Sequence, residues 1–194
     1  MTMTQEGLCE AEAQETSFRE KLYAEKEFVD VKVLCNGKIF SCHKIVLSRQ
    51  SEVFKTIIRN KSLTEKKTGI MKIEENDISS DVMEQLLYFV YHEKVKNATM
   101  INTDLLLAAD KYNMQGLLDE CCKLFPLSLE NALDIMVLAE TINQKSLFDT
   151  ASRFVGQNLG SLEQSSEFKK MVDDPKMFFR VFTKMLTVKP YEWY

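Results

Sequence analysis

The sequence predicts an α+β fold in which helices cluster around one small sheet. Three observations predict it. A strand-period run meets an Asn36-Gly37 turn, and a matching run leaves it. A second short run rich in β-branched residues follows at Ile70, Met71 and Ile73. Every other apolar segment repeats with a helical period, and helices segregated around a small sheet define the α+β class.

Residues 1–16 are polar and rich in Glu, and read as a mobile tail. Ser17 has Glu20 three residues on, the spacing of a capping box, so a short helix starts there with Phe18 and Leu22 one turn apart. From Phe28 the period drops to two: Val29, Val31, Val33 and Cys35 alternate with Asp30, Lys32 and Leu34. Asn-Gly favours positive φ at both turn positions, so a two-residue hairpin puts Val33 opposite Phe40 and Val31 opposite Cys42. Leu34 and Ile39 make the other face apolar too, which predicts a hairpin covered on both sides.

Helical spacing returns from Lys44 to Ser48, and Ser51 suits the cap of a further helix carrying Val53, Phe54, Ile57 and Ile58. The polar, basic stretch Asn60 to Gly69 reads as a loop before the strand near Ile70. Asp81 to Val90 is amphipathic, with Ser79 or Ser80 as its cap. Thr103 to Tyr112 and Met114 to Phe125 form a helix pair, and Pro126 punctuates the chain. Beyond it lie helix-sized segments only: Leu129 to Thr141, Lys145 to Leu159, and a set from Glu167 to Leu186 in which Pro175 suits a first turn.

Composition narrows the function. Hydrophobic residues make up 45 % of 194, with six Gly and three Pro, enough apolar material to fill a core. A net charge of −4 implies no basic face, so nucleic acid is not the expected partner. No run approaches the ~18 apolar residues of a membrane span. Residues 1–14 lack the basic start and apolar stretch of a signal peptide. Five Cys are an odd number, and Cys35, Cys42, Cys121 and Cys122 fall in strand-like or helix-like runs, so they read as free buried thiols of an intracellular protein, in nucleus or cytoplasm. The two His, His43 and His92, have no partners at metal spacing, and no Gly-rich phosphate loop occurs. Neither an enzyme nor a cofactor is expected.

Several blocks, in order, resemble a BTB/POZ domain. They are Phe28-Val29-Asp30-Val31, Asn36-Gly37-Lys38-Ile39-Phe40, His43-Lys44-Ile45-Val46-Leu47-Ser48 and Ser51-Glu52-Val53-Phe54. The run Leu86-Leu87-Tyr88-Phe89-Val90-Tyr91 and the helix Leu105-Leu106-Leu107-Ala108-Ala109-Asp110-Lys111-Tyr112 continue the likeness. Further on, Leu129-Glu130-Asn131-Ala132 and Phe168-Lys169-Lys170-Met171-Val172 are similar to the helices after the BTB domain in speckle-type POZ proteins, called the three-box or BACK-like region. The implied organisation is a tail over 1–16, a BTB/POZ domain over 17–125, three-box/BACK-like helices over 126–187 and a second tail over 188–194.

The resemblance implies a homodimer that binds a cullin-3-type scaffold and serves as a ubiquitin-ligase adaptor for a protein substrate the sequence does not name. In such relatives a separate domain, often of MATH type, selects the substrate, and neither tail here matches one. The family's cullin-contacting motif maps onto Leu63-Thr64-Glu65, with Tyr112, Asn113 and Met114 on the other side of that site. Phe18, Leu22, Val29, Val31 and Ile45 map onto the dimer face, where Val31 reads equally well as plain core. Asp30 and Lys44 map onto opposite charges near the dimer groove. The turn Tyr91-His92-Glu93-Lys94-Val95 lacks the Gly often found there. The competing expectation is a BTB dimerisation module with no ligase role, regulating other BTB proteins or transcription.

Overall fold

The computed structural model describes residues 17–60, 68–73 and 78–187. Residues 1–16, 61–67, 74–77 and 188–194 lie outside the described residues.

Helix α1 spans Phe18–Glu25 behind a complete capping box, Glu20 N–H to Ser17 Oγ and Ser17 N–H to the Glu20 carboxylate. Strands β1 (Val31–Cys35) and β2 (Lys38–Cys42) form the hairpin in the expected register, Val31 opposite Cys42 and Val33 opposite Phe40. Asn36 and Gly37 take φ of 46° and 78°, the left-handed pair that a two-residue turn needs. Helices α2 (Lys44–Gln50) and α3 (Glu52–Arg59) then cross over, and β3 (Ile70–Lys72) returns parallel to β1. The sheet order is β2-β1-β3, with β1 central.

One face of the hairpin is open, contrary to the sequence expectation. Val31, Val33, Cys35 and Cys42 are buried, but on the other face Ile39 is 54 % exposed, Lys32 is exposed and Leu34 is half-buried. Apolar alternation alone does not say which face has a helix to cover it.

Helix α4 (Ser80–His92) carries eight buried residues, with Ser79 Oγ accepting from Val82 N–H. A 3₁₀ turn, Ala98–Met100, leads to α5 (Thr103–Lys111) and α6 (Gln115–Leu124). The C-terminal helices are α7 (Ala132–Thr141), α8 (Lys145–Gln157), α9 (Leu159–Leu162), α10 (Ser166–Asp173) and α11 (Pro175–Thr187). Helix α7 starts three residues later than its apolar pattern. Asn131 spends its amide on Ser128 N–H and Pro126 C=O, fixing a turn ahead of the helix.

The joints α5–α6 and α7–α8 are built alike. Asn113 and Asn143 take φ of 49° and 56°. Met114 N–H bonds Ala109 C=O and Gln144 N–H bonds Ala139 C=O, each at 2.8 Å, closing Schellman motifs with Asn in the left-handed position. One hydrophobic cluster runs through both helix pairs, from Val31 to Met185.

Candidate interaction surface

Three large apolar side chains in the N-terminal quarter of the chain lie uncovered: Phe18 at 75 %, Phe28 at 84 % and Ile45 at 78 % exposure. They sit on α1, on the turn before β1 and on the first turn of α2. Local chemistry brings these elements together. Helix α1 buries no residue fully. It is anchored by Tyr23, whose ring packs against Tyr88, Tyr91 and His92 of α4 at centroid distances of 5.0–6.1 Å.

Polar contacts set its direction. Glu93, at the end of α4, accepts from both Arg19 (2.7 Å) and Gln50 (2.8 Å), which places the start of α1 beside the end of α2. His43, just before α2, bonds the carbonyl of Glu27, just after α1, at 2.5 Å. The start of α1 therefore lies near the end of α2, and the end of α1 near the start of α2. Glu93 itself takes φ of 52°, the left-handed conformation that glycine adopts most readily.

The turn that displays Phe28 is held against its own preference. Lys26 and Phe28 both have φ of 56°, a conformation costly for a bulky L-residue. Three bonds hold it: Lys26 N–H to Leu22 C=O, the His43 bond to Glu27, and Asp30 N–H to Cys42 C=O. Behind it His43, 5 % exposed, pairs its Nδ1 with the Tyr91 hydroxyl at 2.9 Å, and the same hydroxyl accepts His43 N–H at 3.0 Å. Burial pushes the Tyr91 hydroxyl and the Cys42 thiol up, the latter to about 12, so both stay protonated at neutral pH.

Asp30 and Lys44 meet, but not chiefly as an ion pair. Their charged ends are 3.8 Å apart and both side chains are exposed. The stronger contact is Asp30 Oδ1 accepting Lys44 N–H at 2.7 Å. His43 gives α2 no side-chain cap, so Asp30 supplies the missing acceptor and places a negative charge at the helix N-terminus.

The remaining positions that the resemblance mapped divide. Leu22 and Val29 are half-buried. Val31 is 2 % exposed and belongs to the core, so its assignment to the dimer face is corrected: its strand phase points it inward with Val33 and Cys35. The alternation in the sequence offers that reading, and Phe28 is a further exposed apolar residue outside the mapped set. Its signal was a bulky aromatic just ahead of the strand phase, outside any helix stripe.

The second predicted site is only partly in view. Leu63 and Glu65 lie outside the described residues. Asn113 is exposed, but Tyr112 and Met114 are each 2 % exposed and are corrected to core positions. The Schellman turn folds both inward. The Tyr112 ring packs 4.7 Å from Phe54, and its carbonyl accepts the Ser51 hydroxyl.

Among the described residues, no group of three or more His, Cys, Asp or Glu is placed to hold a metal. Among those same residues, no helix is long and apolar enough to cross a membrane. Cys35, Cys42, Cys121 and Cys122 are free and buried.

A family model for the BTB/POZ domain matches residues 20–129. Protein maternal effect lethal 26 of Caenorhabditis elegans is 30 % identical over 139 residues, which is 70 % of this chain and 35 % of that protein. Kelch-like protein 21 of Danio rerio is 30 % identical over 154 residues, 78 % of this chain and 24 % of that one. A BTB/POZ domain-containing protein of Arabidopsis thaliana is 34 % identical over 165 residues, 78 % of this chain and 72 % of that one. The chain thus spans about a third and a quarter of the first two relatives and most of the third.

Proposed function

The chain belongs to the BTB/POZ domain family, and from that premise we propose that it is a homodimeric adaptor that holds a cullin-3-type scaffold in a ubiquitin ligase. The observation that carries the dimer is the uncovered trio Phe18, Phe28 and Ile45. Covering each contributes about 1.5–3 kcal/mol. In a two-fold interface every contact occurs twice. Six such side chains yield roughly 9–18 kcal/mol before losses. That offsets an association cost of about 4–15 kcal/mol. The strained Phe28 turn fits this role: the bonds around it hold the side chain out before a partner arrives.

The scaffold half of the proposal rests on Leu63-Thr64-Glu65 and on the helices that follow residue 125. An apolar side chain that enters a pocket beside a charged rim residue is a common interface anchor. Titration calorimetry against the N-terminal domain of cullin-3 tests it. Heat and co-elution are expected, and the pair Leu63→Ala, Glu65→Lys should weaken binding by about 30-fold or more, the effect of losing a hot spot of ~2 kcal/mol. No heat from the unaltered protein would remove the adaptor role.

A second reading is a dimerisation module without ligase function, acting on other BTB proteins. The burial of Tyr112 and Met114 favours it, because it takes two of the five mapped scaffold contacts off the surface. Under that reading the protein dimerises normally and gives no signal with the cullin domain.

A further inference from the structure

The last helix leaves one side uncovered. Val181 and Met185 of α11 are buried, while Phe179 is 74 % and Leu186 78 % exposed. Phe179, Thr183 and Leu186 follow the i, i+4, i+7 spacing of a single face. Lys176, Arg180 and Lys184 follow i, i+4, i+8 and make a basic row beside it, and α11 carries no acidic residue. With Pro175, Phe179 and Thr183, this row walls a cleft of about 770 Å³ that reaches Glu140 of α7. Its floor is apolar: Phe179 contributes a ring, and the Thr183 hydroxyl is satisfied by donating to Phe179 C=O at 2.6 Å.

Charge selects what can fill it. Arg180 and Lys184 reach Glu140 at 2.9 and 3.6 Å. Among the described residues Glu140 is the one carboxylate of the lining, so three cations face a single anion. The whole chain carries −4, so this basic row runs against the overall charge and draws an acidic partner to one place. A second copy fits poorly, because a two-fold contact brings the same basic row to the same cleft. Length selects as well. From Pro175 to Leu186 the face runs about 16 Å at 1.5 Å per residue, roughly three helical turns. Side-chain rows of one helix accept those of another, and an amphipathic helix in an apolar groove anchors at i, i+3, i+4 and i+7.

We propose that this cleft receives an acidic amphipathic helix of a partner protein, with large apolar side chains on Phe179 and Leu186 and carboxylates turned to Lys176, Arg180 and Lys184. The site shares no residue with Phe18, Phe28 and Ile45 or with Leu63-Thr64-Glu65, so it stands independently of the adaptor role.

A display library of random peptides about 16 residues long, ~24 Å as helices, is selected on the full chain and counter-selected on Phe179→Ala. Phe179 is exposed, so its loss spares the core, and circular dichroism confirms helix content. The retained peptides should be acidic, with large apolar residues recurring at i, i+3 and i+4. In fluorescence anisotropy the strongest of them should bind Phe179→Ala about 30-fold more weakly, the loss of one hot-spot ring. Lys176→Glu should weaken it about twofold to fivefold, and added salt should weaken it further. A selection that retains nothing, or retains neutral or basic peptides, would overturn the proposal. So would acidic peptides indifferent to Lys176→Glu. An Ile45→Asp chain that still self-associates, and stops when Phe179→Ala is added, would assign the face to a second copy and overturn it too.

Discussion

Replacing Tyr91 with Phe removes one oxygen from the hub behind the Phe28 turn. Tyr91 is 1 % exposed. The Glu27 carbonyl can only accept, so His43 Nε2 carries the proton and Nδ1 is the acceptor for the Tyr91 hydroxyl. The variant therefore loses both hydrogen bonds to His43 and leaves two buried groups, His43 N–H and Nδ1, without their partner. Each such orphan costs about 1–3 kcal/mol, so the total is roughly 2–6 kcal/mol. Packing is kept, because the ring still meets Tyr23 at 5.1 Å and His43 at 5.8 Å. Urea unfolding at one fixed protein concentration is the assay, since dimerisation couples stability to concentration. With a slope of about 2 kcal/mol/M, the midpoint should fall by about 1–3 M. A loss under ~0.5 kcal/mol would show that His43 is satisfied another way and that this hub does not hold the turn.

Three other outcomes follow from single contacts. Ser51→Ala removes both the cap of α3 and the bond to Tyr112 C=O, and should lower stability by about 2–3 kcal/mol in the same assay. The thiols of Cys121 and Cys122 are pushed up to about 12 and 11 by burial, and that of Cys42 to about 12. A Cys9→Ser chain should accordingly react with Ellman's reagent at pH 8 only on unfolding, and a fast thiol in the folded state would contradict their burial. Glu93 is held below the usual 4.5 by the bond from Arg19, then by that from Gln50. Its contribution is therefore present above the unfolded value and lost as pH falls through the lower folded one. Arg19→Gln should cost about 0.2–1 kcal/mol at pH 7 and low salt, and nothing below that folded value; an equal loss at both pH values would refute the pairing.

The hairpin was the most legible part of the sequence, because Asn36-Gly37 fixes turn and register together. Helix starts at Ser17, Ser51 and Ser79 were legible for a similar reason, since a cap is a local bond between near neighbours. Features set by distant contacts were not. Asp30 capping α2 across the hairpin leaves no trace in spacing. The burial of Tyr112 and Met114 depends on a left-handed Asn113, and its one sequence signal is the matching helix-Asn-helix pattern at Ile142-Asn143-Gln144. The surface trio was half legible. Phe18 and Ile45 fell on mapped positions, whereas Phe28 is displayed by a turn whose positive φ values no propensity favours.

Light scattering of the purified chain beside Ile45→Asp probes the central idea, that this apolar surface exists to be covered by a second copy. The unaltered protein should show twice its 22.5 kDa mass at micromolar concentration. The variant loses two Ile contacts per dimer, about 3–6 kcal/mol, and introduces two buried charges, so it should run as a folded monomer. A wild-type mass of one chain, or an Ile45→Asp chain that stays fully dimeric, would contradict the account.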